Sequence, residues 1–381
     1  MRILHVVDRL DARLGGVPAA IINLARAERE SGLDVTIVAT REAEGQGNLQ
    51  AVELEGVPCF LFRRSRVFPY SYSGSLRTWL NRNVHTYDMV EIHGVFAYPA
   101  IAGSRAAHRT ATPYLLHPHG SLDPFDLRKH RLLKRVIGPL AVRPMLSRAS
   151  RTIATTDLEG ERLERYGSAP TVTVLTLPYR VEEHSADPVE FRRVHGLAGA
   201  KIILFLGRIN YKKGISYVID ALPAIRSRVS SAVLVLGGDD SSEYARHLRR
   251  QVRDQTLTEQ VMFLGHLGPH EKSSALAAAD LFVLVSDNEN QGLVLAEAAW
   301  WGLPLVVSSE VYIASRLNDA GAAVVVDRTP QAVAEAVTQL LTDPAMRERM
   351  GACARQLAAT VFSWEACASA QVELRHELAA M

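Results

Sequence analysis

The residues with the most chemical capacity lie in one stretch, Ser286 to Pro304 (SDNENQGLVLAEAAWWGLP), where Glu289 and Glu297 stand on either side of Gly292. An apolar run, Leu281 to Val285, leads into it, so the pattern predicts a strand, a polar loop and a helix starting at about Gly292. The free amides of a helix's first turn carry about half a positive charge, and at the carboxyl end of a strand in an open α/β sheet they make an anion site. Glu289 would lie in the loop beside such an anion. Glu297, roughly a turn and a half into the helix, could accept two hydrogen bonds from a vicinal diol. A ligand with both phosphate and hydroxyls fits this pair. A solvated helix glutamate and a loop carboxylate drawn to the helix dipole fit it equally well.

A second segment shifts that balance. Gly207 to Gly214 (GRINYKKG) follows the apolar run Ile202 to Leu206 and places Arg208 and Lys213 at another strand end. Two cations there could neutralise a diphosphate through bidentate and point-charge contacts. Near the start, Gly15 and Gly16 follow the first strand and precede Pro18, a favoured first-turn residue. They read as a loop whose backbone can approach a ligand, or as a tight turn. A complete G-x-G-x-x-G is missing, which disfavours a nicotinamide dehydrogenase. His117-Pro118-His119-Gly120 closes a further apolar strand ahead of Ser121, a candidate helix cap, and His93-Gly94 repeats the strand-end arrangement. An imidazole at a strand end can donate to a substrate oxygen, or bond to its own backbone.

These segments together resemble the retaining glycosyltransferases of family 4, which have the GT-B fold. The resemblance rests on GRINYKKG, LFVLVSDNENQGLVLAEAAWWGLPLVV, LHVVDRLDARLGGVP, LLHPHGSLDPFDLRKH and the terminal Phe362-Ser363-Trp364. It implies sugar transfer from a nucleotide-diphosphate donor to a hydroxyl of a glycan or lipid-linked acceptor, with anomeric configuration retained and surface polysaccharide synthesis as the setting. Arg208 and Lys213 would stabilise the departing diphosphate, and Glu297 would hold the ribose hydroxyls. Glu289, with Asn290, Gln291 and the amides of Gly292 and Leu293, would fix the donor sugar. Gly15 and Gly16 would lie against the donor phosphate, His119 would support the reacting face, and His93 is a candidate on the acceptor side. With cations supplied by side chains, neither cofactor nor metal is expected, and Asp239-Asp240 reads as a turn. Val285, Gln291 and Pro178-Tyr179-Arg180 depart from the family pattern without removing a proposed charge. A nucleotide-sugar 2-epimerase of the same fold, or a noncatalytic nucleotide-sugar-binding protein, would keep the same grip.

Positioning these loops requires short apolar strands alternating with helices, and the chain shows two such series, the pattern of two Rossmann-like, doubly wound parallel sheets facing across a cleft. Residues 1–182 are expected to form the acceptor-side domain and 183–364 the donor domain, with a helix over 365–381 returning to the first. A length of 381 residues, 48% hydrophobic and 22% charged, suits two globular domains. No apolar stretch reaches the roughly 18 residues of a membrane span, and the apolar run at the start is too short for a signal peptide, so a cytoplasmic location is expected. Cys59, Cys353 and Cys367 show no metal or disulfide spacing. Residues 1–185 hold 24 Lys+Arg against 19 Asp+Glu, leaving 19 against 22 in the remainder. Much of the excess falls within 126–151, where leucines are interspersed among arginines and lysines, so the segment is a candidate for peripheral contact with the inner face of a membrane. Pro139 and Pro144 argue against one continuous helix there. Nothing marks a nucleic-acid partner.

Overall fold

The computed structural model describes residues 1–10, 16–42, 47–67, 70–167, 169, 171–177 and 185–379. Two compact units emerge: Met1–Tyr179 with Trp364–Met381, and Arg180–Ser363. Each is a sheet with helices between its strands, as the alternating pattern predicts.

The first sheet contains β1 (Arg2–Val6), β2 (Asp34–Arg41), β3 (Leu49–Leu54), β4 (Val57–Arg63), β5 (Met89–His93), β6 (Tyr114–His117), β7 (Arg151–Ala154) and β8 (Val172–Val174), in the order β3-β4-β2-β1-β5-β6-β7-β8. The second contains β9 (Lys201–Leu206), β10 (Ala232–Gly237), β11 (Val261–Gly265), β12 (Leu281–Leu284), β13 (Leu305–Ser308) and β14 (Ala323–Val326), in the order β11-β10-β9-β12-β13-β14. Renumbered within the unit, the second order is 3-2-1-4-5-6, whose winding reverses between β9 and β12. In such sheets ligands bind at that reversal, outside the carboxyl ends of the strands. The corresponding reversal in the first sheet lies between β1 and β5.

Central strands such as β1 and β9 are buried on both faces, which is why they read as continuous apolar runs. The exception is β3, an edge strand that pairs antiparallel with β4 and that the sequence pattern did not single out. Its residues LQAVEL are largely exposed, so it lacks the apolar run used to find the others. The two-residue turn Glu55-Gly56 makes the hairpin, with φ of 49° and 80°, the left-handed pair that matches strand twist.

Three local expectations need correction or fall outside the described residues. The cap after His119 is Asp123, not Ser121: its carboxylate accepts from Phe125 N at 2.7 Å and opens helix Pro124–Arg128. The basic stretch, expected to be interrupted at its prolines, stays helical from Arg131 to Arg148. Helix Arg131–Ile137 passes through a π-turn, Gly138–Val142, into helix Arg143–Arg148 with αR backbone at both junctions, so the prolines widen the helix without ending it. Gly15 and Pro178-Tyr179-Arg180 lie outside the described residues.

Helix Trp364–Ala379 packs within the first unit. Its Trp364 indole donates to Glu30 at 3.0 Å, and its Leu374 and Leu378 are buried against Met89, Leu115 and Ile153. This contact carries Arg375 into the centre of the first sheet, where it is fully buried.

Candidate active site

In the second unit, the loops after β9 and β12 meet at the reversal point. Gly207 leaves β9 with φ 141°, Arg208 is exposed, and buried Ile209 anchors the loop. Asn210 accepts from Lys212 N at 3.0 Å and starts a single 3₁₀ turn, Tyr211–Lys213. Gly214 then adopts φ 65° and caps helix Ile215–Arg228. A Cβ there would overlap the Val285 carbonyl oxygen, so this glycine is what lets the β9 loop lie directly on the end of the β12 run. Asp287 N donates to Lys212 O at 2.7 Å across the same junction.

The β12 loop is fixed from its far side as well. Glu289 N donates to Glu310 O, Tyr312 N donates to Glu289 O, and Asn288 Nδ2 donates to the Tyr312 hydroxyl at 2.6 Å. Arg328 pairs with Asp287. Held this way, the Glu289 carboxylate forms an ion pair with Lys213. The sequence reading gave these two residues to different parts of a ligand; the fold brings them into one contact. Gly292, with φ 63°, caps helix Leu293–Trp300, whose first-turn amides face outward from the strand end. Gln291 is almost fully buried, and Asn290 and Leu293 are partly exposed. Glu297 pairs with Lys272 at 3.0 Å. Lys272, on helix Pro269–Ala278, was missed because no local motif ties it to a site 25 residues away.

In the first unit the corresponding loops carry histidines. His119 has φ 51° and Gly120 φ 75°, two left-handed residues in succession that turn the chain sharply at the end of β6. The buried Glu159 carboxylate receives Gly120 N at 2.6 Å and Thr155 N at 2.8 Å, holding that turn against helix Asp157–Tyr166. Gly16 is exposed at the start of helix Gly16–Glu30. His93 is 3% exposed, and both its nitrogens are taken: Nδ1 by His119 Nε2 and Nε2 by His5 Nδ1, each at 2.9 Å. That leaves no polar atom for an acceptor, which corrects its expected place; it reaches the site only through His119.

Behind His93 lies a cluster that sequence reading missed. His5 Nε2 bonds Glu28 at 2.7 Å, and Arg375 meets Glu28 at 2.5 Å and Glu91 at 2.5 Å, the first as an ion pair without hydrogen-bond alignment. His117 Nε2 bonds the other Glu91 oxygen at 3.0 Å. These residues come from β1, β5, β6 and two helices, with Arg375 and Glu91 alone 284 positions apart, so only the assembled fold places them together.

Burial pushes the His119 pKa down to about 3, with His117 adding to the effect. Burial, followed by His117, His5 and His119, also takes His93 well below the usual imidazole range. His5 moves the other way: burial opposes its charge, but Glu28 and Glu91 outweigh that cost and raise its pKa. Glu91 is desolvated too, yet Arg375, His5 and His117 hold it below the usual carboxylate range.

The signs set a pH dependence. His93 and His119 have lower pKa values folded than unfolded, so below about pH 6.5 the unfolded chain binds protons that the native chain does not, and stability falls with pH. The His5 contribution is full below about pH 6.5 and is lost as pH rises through its raised folded value. We expect denaturant unfolding of His119→Phe to show a shallower loss between pH 6 and 5 than wild type, by about 1.4 kcal/mol per pH unit for the one proton removed. An unchanged slope would contradict this assignment.

The nitrogens of His93, His117 and His119, and the ligand atoms of His5, Glu91 and His93, are the clusters among the described residues close enough to hold a metal. Both need His93, whose two nitrogens are already bonded to imidazoles.

Residues 189–357 match the family model for glycosyl transferases group 1, and residues 15–180 match the glycosyl transferase 4-like domain. The chain is 29% identical to the alpha-D-kanosaminyltransferase of Streptomyces kanamyceticus over 62% of its length and 63% of that protein, so it spans less than two thirds of that relative. It is 23% identical to the GDP-mannose:cellobiosyl-diphosphopolyprenol alpha-mannosyltransferase of Xanthomonas campestris, over 89% of this chain and 87% of that one. Among solved structures, Anabaena HepE in complex with UDP-glucose superposes with a TM-score of 0.78 at 20% identity, covering 99% of this chain and 100% of that chain. That last likeness shows a shared GT-B fold.

Proposed function

Matched in both halves by the models of that family, the chain belongs to the group 1 glycosyltransferases, and we propose that it is a retaining enzyme moving a hexosyl unit from a UDP- or GDP-linked sugar to a hydroxyl of a glycan or lipid-linked acceptor. The observation that carries this reading is the meeting of the Arg208–Lys213 loop with the Glu289–Gly292 loop at the strand-order reversal of the second unit. The donor's diphosphate takes Arg208, Lys213 and the first-turn amides of helix Leu293–Trp300; Glu297 takes the ribose hydroxyls. Glu289, Asn290, Gln291, Gly292 and Leu293 take the sugar. His119, on the first unit, is assigned the supporting role that the family resemblance implies.

Negative charge develops on the diphosphate as the sugar–oxygen bond breaks. Preorganised cations acting where that charge appears lower the barrier with no rearrangement during reaction. Since Arg208 and Lys213 supply that charge, the reaction proceeds without a divalent ion, and chelation leaves the rate unchanged. Product NMR after transfer from an α-linked UDP- or GDP-hexose tests the stereochemistry: an α-linked product supports the reading, and a β-linked product rejects it. Epimerised donor in the absence of acceptor would favour the 2-epimerase alternative.

The acceptor class draws support from the relatives, one of which is named for a diphosphopolyprenol substrate, and from the surface of the first unit. Leu132, Val136 and Leu140 are 80%, 56% and 71% exposed beside the exposed Arg128, Arg131 and Arg135. Among the described residues no helix is long and apolar enough to cross a membrane. An apolar ridge rimmed by arginines suits the inner surface of an anionic bilayer. Leu132→Asp with Leu140→Asp is expected to abolish cosedimentation with phosphatidylglycerol vesicles at low salt; retained binding would reject this surface.

A further inference from the structure

His5, His93 and His119 form a hydrogen-bonded row. Neighbouring ring centroids are 5.2 Å apart in both pairs, with interplanar angles of 8° and 10°, while the bonded nitrogens are 2.9 Å apart. The centroid spacing exceeds the nitrogen spacing by about two ring radii, so the rings meet edge to edge, as an N–H···N bond requires. His117 lies beside this row, 4.7 Å from the His93 centroid. The inner end is closed by Glu28, which Arg375 also holds. At the outer end, His119 Nδ1 is shielded from solvent with no hydrogen-bond partner among the described residues.

We propose that His5 and His93 are positioning residues that relay a proton to and from His119, so that the state of the buried His5 decides whether His119 offers a hydrogen or a lone pair. The bonding fixes the direction of each transfer. A doubly protonated His5 donates to Glu28 and to His93 Nε2. His93, with one hydrogen, must then carry it on Nδ1 and donate to His119 Nε2, so neutral His119 carries its hydrogen on Nδ1. When that hydrogen passes to a ligand oxygen, the His119 Nδ1–H bond breaks and the O–H bond forms. His93 Nδ1 gives its hydrogen to His119 Nε2, and His5 Nδ1 gives its hydrogen to His93 Nε2. Each bond broken is matched by one formed, and His5 ends neutral while still donating to Glu28. One positive charge leaves the buried cluster, and because the three transfers are concerted neither His93 nor His119 becomes charged, in keeping with their depressed basicity.

The groups facing the relay come from every neighbouring element. Glu28 on helix Gly16–Glu30, Glu91 on β5 and Arg375 on helix Trp364–Ala379 face His5. His117 on β6 faces His93 and His119, and Glu159 holds the turn after His119. Two carboxylates against one guanidinium leave room for one further positive charge, which His5 takes.

The consequence for transfer rests on the reading of His119 above, but the test does not. Long-range ¹H–¹⁵N spectra of the full chain, with ¹⁵N in the histidine rings and no donor present, follow both tautomer and charge. As pH rises, His5 should lose a proton and the His119 hydrogen should move from Nδ1 to Nε2 with one shared midpoint. In His93→Gln, the side-chain amide can accept from His5 and donate to His119 but cannot pass a proton, so the His5 transition should proceed while His119 keeps its hydrogen on Nδ1. A His119 tautomer that stays fixed in wild type while His5 titrates would overturn the relay, as would a shared midpoint persisting in His93→Gln. If that variant does not fold, the wild-type titration decides alone. Where transfer is measurable, His93→Gln should lose at least tenfold in turnover with unchanged donor Kd; a wild-type rate would overturn the relay.

Discussion

Replacing Lys213 with alanine is expected to lower turnover by about a hundredfold to a thousandfold, the usual loss when one preorganised donor to a developing oxyanion is removed. Arg208→Ala should match it. The two variants should nevertheless differ in the resting protein. Arg208 is exposed, so its loss leaves the fold and its stability unchanged. Lys213 is paired with Glu289, with side-chain exposures of 17% and 19%, so its loss also leaves a carboxylate without that cation beside the diphosphate position, and donor binding, weakened in both variants, should fall further in this one. Partial exposure keeps the cost to folding at about 1 kcal/mol or less. Initial rates over a donor concentration series, with circular dichroism as the check on folding, separate these effects. Near-wild-type turnover in both variants would remove the diphosphate assignment.

The largest effect on stability should come from a residue far from any motif. Arg375→Met is expected to cost about 3–5 kcal/mol at neutral pH, since removing one member of a buried ionic group leaves uncompensated charge. Here it strands the carboxylates of Glu28 and Glu91, both fully buried, with His5 and His117 as their remaining side-chain partners among the described residues. The sign with pH follows from Glu91, whose folded pKa is depressed: its contribution is present above the usual carboxylate value and lost as pH falls through the folded one. Without Arg375 that depression is weaker, so the gap between variant and wild type should narrow on acidification. Urea unfolding at pH 7 and at about pH 3, below the usual carboxylate value, measures both; an equal gap at the two values would show that the loss comes from packing alone.

Much of the donor side was legible because it is written locally. GRINYKKG and SDNENQG each join an apolar strand to a helix with a glycine at the junction, and the structure gives Gly214 and Gly292 the left-handed conformations that only such positions require. The ion pair of Lys213 with Glu289, 76 positions apart, was not legible; it depends on β9 and β12 being neighbours in space. The same holds with more force for His5, Glu28, Glu91 and Arg375. His5 reads as one polar residue inside an apolar strand, and Arg375 as one cation on a helix with several charges. Their burial follows from the return of helix Trp364–Ala379 to the first sheet, which no periodicity within that helix announces. Strand β3 was missed for the opposite reason: an exposed edge carries too little apolar pattern to register.

The central claim is that the loops after β9 and β12 hold a nucleoside diphosphate. Thermal unfolding of wild type and Arg208→Ala with UDP, GDP, ADP and CDP tests it most directly, because a ligand that binds only the native state at 100 times its Kd adds about 2.7 kcal/mol of stability. The account predicts stabilisation of wild type by UDP or GDP and its loss in Arg208→Ala. Stabilisation by none of the four, or equal stabilisation of the variant, would contradict it.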